Sequence, residues 1–198
     1  KELEKKIAAL EARLSKLSSG SSDAAATLQG LNILWDLDLS TKSLYKLCAE
    51  LGSDVPFCLS GGSQLCFGRG EQLEPISKEL SSIALLLVKD ESVSVSTPWA
   101  YSRFKELHER NYLQQEREFE QRRQILRDQT WLKSSNPQNL PPLRNDLQKI
   151  VSEEVPSVKK ALTLLSGLPA SLGAAMSGSG PSCFALFPDL NLAKSALS

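Results

Sequence analysis

The 198-residue chain holds one histidine, one methionine and four cysteines, with no C-x-x-C pair among them. The lone imidazole, His108, stands in a highly charged stretch, so neither a histidine-based metal cluster nor a Ser-His-Asp triad can be assembled. Cys48, Cys58, Cys66 and Cys183 each lie in apolar sequence, which suits reduced, buried thiols better than a disulfide framework or a zinc site. No apolar run approaches the roughly 20 residues of a membrane span, and the front end is too charged for a secretory signal. Charge of one sign is not in excess either: 23 Lys+Arg balance 23 Asp+Glu. That excludes a whole-surface field that would draw the chain to nucleic acid or an anionic membrane, while leaving room for a local phosphate pocket. These absences predict a soluble, cytoplasmic protein with no metal site of its own and no internal repeat.

What is present divides into three textures. The first segment, KELEKKIAALEARLSKL, carries Leu3, Ile7, Leu10, Leu14 and Leu17 at alternating spacings of four and three, an a/d seam among good helix formers. At about two and a half heptads it is marginal in isolation. It therefore needs a partner: another copy, giving self-association through residues 1–17, or the domain that follows. SSGSS after it reads equally well as a linker.

From Ser21 onward the chain alternates helices and short strands. SSDAAATLQGLNILWDL reads as a serine-capped helix with Asp23 in its first turn. STKSLYKLCAELG reads as a second helix, capped at Ser40 or Thr41 and closed by Gly52. LGSDVPFCLSGG is a turn-rich junction, SQLCFGRGEQLEPI a pair of strands around Gly68-Arg69-Gly70, and SIALLLVKD a buried strand. A helix begins near Pro98 and becomes densely charged over residues 105–128, the mark of a solvated face. SSNPQNLPPL is a loop. Two helices then meet at Pro156, and ASLGAAMSGSGPSCFALFPDL reads as strand, glycine loop, strand, with a further helix at LNLAKSALS. The class is α+β, divided as 1–19 heptad helix and linker, 20–97 a partial first domain, and 98–198 a second domain of helices on a small antiparallel sheet.

Three elements bear on chemistry. Gly20-Ser21-Ser22-Asp23 precedes an alanine-rich helix, and exposed amides at a helix start suit a phosphate chain; Ser-Ser-Asp is also an ordinary cap. Ser177-Gly178-Ser179-Gly180 lies between two apolar strands, a turn with little side-chain bulk and several free amides, which a purely structural hairpin rarely needs. Asp54, between Gly52 and Pro56 at the edge of an apolar run, serves either as a turn acceptor or as a base able to take a hydroxyl proton during phosphoryl transfer.

Taken in order, GSSDAAATL, LGSDVPF with its SGG, the GRGE turn, VSTPWAY, NDL and MSGSGPSCFALF resemble the motif set of the GHMP kinases. Within that family the wording is similar to the branch serving non-mevalonate isoprenoid synthesis. The resemblance runs from about Gly20 to Ser198 and implies a GHMP-kinase-like two-domain architecture. It implies ATP and Mg²⁺ as cofactors and a small-molecule substrate of the CDP-methylerythritol type. Asp54 matches the family's acid–base aspartate. Gly20, Ser21, Ser22 and Asp23 match the tail of its glycine-rich ATP loop. Ser177, Gly178, Ser179 and Gly180 match the loop that packs near the nucleotide phosphates.

The chain departs from the pattern at its front, where the family carries opening strands, an active-site lysine and the start of the ATP loop, and where the heptad segment stands here. It also stops short of the family's closing helix and strand. The expectation is an impaired kinase, with a sheet edge and apolar surface left uncovered. The reading from a different class is a non-catalytic coiled-coil oligomerisation module built on a kinase-derived body.

Overall fold

The computed structural model describes residues 20–76, 83–129, 140 and 142–197. The heptad segment and most of the proline–asparagine loop therefore lie outside the described residues. The chain forms two compact units, Lys1–Glu79 and Leu80–Ser198, each taken by itself below.

In the first unit, helices α1 (Ser21–Leu34), α2 (Thr41–Leu51) and α3 (Val55–Ser60) precede the antiparallel hairpin β1 (Gln64–Phe67) and β2 (Gln72–Pro75). The expected serine cap of α1 is corrected: Gly20 holds the N-cap position with no side-chain hydrogen bond, and its carbonyl accepts from Asp23 N–H at 3.0 Å. Glycine leaves the first amides of α1 without a competing side chain. Helix α2 starts as expected, Ser40 Oγ accepting from Ser43 N–H at 3.2 Å, and it ends at Gly52. The junction read as turns contains α3, because Pro56 pre-sets the first-turn φ. Ala25, Leu28, Cys48 and Val55 are the buried heart of this unit, with Leu31, Trp35, Leu47 and Leu51 packed around them.

In the second unit, β3 (Ala84–Val88), β4 (Gly173–Met176) and β5 (Cys183–Phe187) form one antiparallel sheet in the order β3-β5-β4. The register pairs Leu86 with Ala185 and Ala174 with Ala185. Because β3 bonds to β5, residues 83–97, read in the sequence with the front domain, belong to the compact second unit. β3 is not buried on both faces as its run of aliphatics suggests: Leu85 and Leu87 are 56% and 60% exposed. Alternation explains this, since Ala84, Leu86 and Val88 pack inward and the odd positions point the other way.

Among the described residues this unit also has five α-helices: α4 (Thr97–His108), α5 (Glu116–Arg127), α6 (Gln148–Glu154), α7 (Pro156–Ser166) and α8 (Leu190–Ser195). The charged stretch after Pro98 is broken rather than continuous. A 3₁₀ turn at Glu109–Asn111 ends α4, and the Glu118 carboxylate accepts from the N–H groups of Gln114 and Gln115 at 2.9 and 3.0 Å, starting α5 afresh. The core joins Ala100, Leu147, Val151, Val158 and Leu165 from the helices to Met176, Cys183, Ala185 and Phe187 from the sheet. Fully burying a side chain such as Leu165 or Phe187 contributes about 1.5–3 kcal/mol. Of the four thiols, Cys48 and Cys183 are buried, while Cys58 and Cys66 are exposed, contrary to their apolar settings.

Candidate functional site

Asp54 occupies the N-cap position of α3, where its neighbours Val55 and Pro56 are buried and its own side chain is exposed. The two buried residues anchor the backbone, so the carboxylate projects from a fixed point. Ser53 Oγ donates to Asp54 Oδ1 at 3.2 Å. The β1–β2 turn backs the same carboxylate: a Cβ placed on Gly70 would stand 3.5 Å from Asp54 Oδ1 and 3.4 Å from the Ser53 carbonyl oxygen. Gly70 has φ +123°, a conformation that L side chains rarely adopt. The turn is tied down by Gly70 N–H donating to Phe67 O at 3.0 Å and by Arg69 Nη2 donating to Ala49 O at 3.4 Å. Cys66, on β1, feels Asp54 as well; burial first, and then the aspartate's charge, push its thiol above its ordinary value.

Gly20, Ser21, Ser22 and Asp23 open α1 in the same unit, with Gly20, Ser22 and Asp23 exposed and Ser21 half-buried. Ala25, two residues beyond Asp23, and Val55, next to Asp54, belong to one buried cluster. The helix start and the aspartate are thus carried on a shared core.

Ser177, Gly178, Ser179 and Gly180 form the turn between β4 and β5 in the second unit. Ser177 N–H donates to Ser182 O and Gly180 N–H to Ser177 O, both at 2.9 Å. Gly178 and Gly180 adopt φ +55° and +84°. A Cβ on Gly180 would lie 2.8 Å from Met176 Sδ, whereas one on Gly178 would meet nothing within 4 Å. The loop is therefore closed on its inner side and open at Gly178.

The loop is held by residues to which the sequence reading assigned no role. Asn145 Nδ2 donates to the carbonyls of Met176 and Gly178, each at 2.8 Å, and its Oδ1 accepts from Leu147 N–H at 3.0 Å. Gln148 Oε1 accepts from Met176 N–H at 2.8 Å. The hydroxyls of Thr97 and Ser179 lie 2.7 Å apart. Asn145 and Thr97 stand inside the NDL and VSTPWAY words, so motif order flagged their segments; only the three-dimensional pairing reveals what they hold.

Beside the loop opens a cleft of about 610 Å³ lined by Tyr101, Phe104, Arg144, Asn145, Ser177 and Gly178, among others. A second, of about 550 Å³, is walled by Phe104, His108, Tyr112 and Phe119 with Arg122. The two share Phe104, Arg144 and Asp146. Phe104 lies with its ring centroid 4.6 Å from His108 and 6.4 Å from Tyr112. Among the described residues no helix is long and apolar enough to cross a membrane.

The profile of the GHMP kinases N terminal domain matches residues 15–62, and that of the GHMP kinases C terminal domain matches residues 120–198. The chain is 61% identical over 181 residues to 4-diphosphocytidyl-2-C-methyl-D-erythritol kinase of Prochlorococcus marinus (strain MIT 9303), covering 91% of this chain and 57% of that protein. The protein of the same name from Synechococcus sp. (strain CC9605) is 59% identical over 174 residues, covering 88% and 57%. The chain thus spans 57% of the length of these curated relatives. A crystal structure of 4-(cytidine 5'-diphospho)-2C-methyl-D-erythritol kinase superposes with TM-score 0.61 at 28% identity, over 89% of this chain and 58% of that one. L. major mevalonate kinase, crystallised with R-mevalonate, shares the fold with TM-score 0.62 at 17% identity, over 89% and 59%.

Proposed function

The chain belongs to the GHMP kinase family, and from that premise we propose that it carries part of the machinery of a small-molecule kinase. The reaction is transfer of the ATP γ-phosphoryl group to a hydroxyl of 4-diphosphocytidyl-2-C-methyl-D-erythritol, in non-mevalonate isoprenoid biosynthesis. What carries the reading is the high identity to kinases of that name across both units, with the aspartate and both small-residue elements within the matched span.

In this reading Asp54 is the catalytic acid–base residue. Its carboxylate is exposed, steadied at Oδ1 by the Ser53 hydroxyl and backed by Gly70, which leaves Oδ2 to accept the proton of an attacking hydroxyl. Gly20, Ser21, Ser22 and Asp23 present the first amides of α1 and the positive end of its dipole to phosphate oxygens. Ser177, Gly178, Ser179 and Gly180 supply a second set of amides. The fit of this loop to a phosphate rests on the open side of Gly178 and on two amides, those of Gly178 and Ser179, that no hydrogen bond among the described residues uses. Mg²⁺ on the phosphates shields their charge in such transfers. The protein's own contribution is then mostly positioning and electrostatics.

Calorimetric titration of the purified chain with MgATP and with the cytidine-linked substrate, followed by a coupled assay, tests the reading. Binding of both, with any turnover abolished by Asp54→Asn, supports it. Binding of neither ligand, or turnover untouched by Asp54→Asn, sinks it.

A further inference from the structure

We infer that Glu71 is a positioning residue for Asp54: its carboxylate locks the β1–β2 turn in the shape that sets Gly70 against the aspartate. The inference rests on the kinase reading only for what Asp54 does there; the coupling itself stands on contacts within the first unit.

Glu71 ends the Gly68-Arg69-Gly70 turn and folds back into it. Its Oε2 accepts from the Arg69 N–H at 2.7 Å, and its side chain is only 22% exposed. A Cβ on Gly68 would stand 2.7 Å from Glu71 Oε1, so glycine at that position leaves the room that the carboxylate fills. The backbone N–H groups of Glu71 itself and of Arg69 hold the carboxyl below its ordinary value, which keeps it charged and clasped near neutral pH. Converging main-chain N–H groups of this kind make an anion seat, here filled by the chain's own side chain. The Arg69 guanidinium is no substitute for the clasp. Its Nε lies 3.9 Å from Oε2 on a side chain that is 74% exposed, where an ion pair contributes little.

What the clasp shapes is the approach of Gly70 to the aspartate. Gly70 sits between the two clasped residues, and the point where its Cβ would stand is 3.5 Å from Asp54 Oδ1 and 3.6 Å from Ser53 Cβ. The turn therefore walls one side of the carboxylate. Among the described residues, the other side-chain restraint on Oδ1 is the Ser53 hydroxyl at 3.2 Å, a bond between two exposed groups. Without the clasp, a turn with two glycines regains a wide conformational range. Oδ1 then gains room to swing toward β1, and Oδ2 is carried away from the direction in which it meets a hydroxyl. A misplacement of about 1 Å can cost on the order of 100-fold in rate.

The test needs no nucleotide, because the Asp54 charge is, after burial, the second cause that raises the Cys66 thiol. The ratio of iodoacetamide labelling rates at Cys66 with and without Asp54→Asn reports how closely the carboxylate is held. Taking this ratio cancels any direct effect of residue 71 on the thiol. It is expected to be several-fold in the parent and in Glu71→Gln, which keeps an acceptor oxygen at the same reach. It should fall toward unity in Glu71→Asp, which keeps the charge but is one methylene too short, and in Glu71→Ala. The Asp and Gln variants decide the matter even if Glu71→Ala fails to fold. A ratio lost in Glu71→Asp and retained in Glu71→Gln supports the positioning role, and any other pattern overturns it. Titration with MgATP and the cytidine-linked substrate is read separately. Binding of neither ends the kinase reading and leaves the labelling pattern to decide whether Glu71 holds Asp54. Turnover abolished by Asp54→Asn, with labelling ratios indifferent to residue 71, keeps the kinase reading and ends this one.

Discussion

Asn145 donates its side-chain N–H to the Gly178 carbonyl at 2.8 Å across a separation of 33 residues. The same amide reaches Met176, and its oxygen caps the turn into α6. One side chain thus fixes both the shape of the glycine loop and the start of a helix. Asn145→Ala deletes all three bonds and leaves a half-buried carbonyl unpaired. Each bond contributes about 0.5–1.5 kcal/mol net. Hydrogen exchange of the β4–β5 amides is expected to accelerate by at least tenfold; unchanged exchange would show that the loop holds its shape without the asparagine.

Cys66 reports on Asp54 without any need for catalysis. Its thiol is raised by burial and then by the aspartate's charge, so replacing the carboxylate removes one of the two causes and the thiol titrates lower. At pH 8.5 the thiolate fraction grows. Asp54→Asn should speed iodoacetamide labelling of Cys66 several-fold, as followed by peptide mass spectrometry. Cys48, pushed up to about 11 chiefly by burial, serves as the slow internal control. Identical Cys66 rates in the two proteins would place the carboxylate away from the thiol.

Acid should loosen the start of α5. Two backbone N–H groups hold the Glu118 carboxyl below its ordinary value. A depressed carboxyl stabilises the folded helix start at pH above the ordinary carboxylate value, and the contribution is lost as pH falls through its own lower value. The protection of the Gln114 and Gln115 amides, measured relative to their intrinsic exchange rates, should therefore fall on acidification below about pH 4.3, the ordinary glutamate value. In Glu118→Gln that pH dependence should disappear; a profile matching the parent would remove Glu118 from the cap.

Leu165, fully buried in α7 against the sheet, should be the costlier truncation when compared with Leu164, which is 58% exposed. Leu165→Ala is expected to cost about 2–5 kcal/mol, and Leu164→Ala within about 0.5 kcal/mol. Urea unfolding monitored on second-unit amides measures both. Similar midpoints would mean that the helix is packed on a different face.

Much of this protein is legible in its sequence because local rules and global contacts agree. Ser40 and Gly52 bracket α2, Pro156 separates α6 from α7, Gly68-Arg69-Gly70 turns β1 into β2, and the glycine loop joins two strands. Each depends on backbone conformations that one or two residue types dictate. The order of short motifs carries the family, whose N- and C-terminal profiles match residues 15–62 and 120–198. Tertiary structure decided the rest. That β3 exposes Leu85 and Leu87 while Ala84, Leu86 and Val88 pack inward follows from which face of its sheet the core covers, which no run of aliphatics encodes. That Gly70 backs Asp54 and that Asn145 occupies the loop's carbonyls both arise between residues distant in sequence. Side-chain hydrogen bonds of this kind are set by where the elements pack, and packing is a property of the whole unit rather than of any window along the chain.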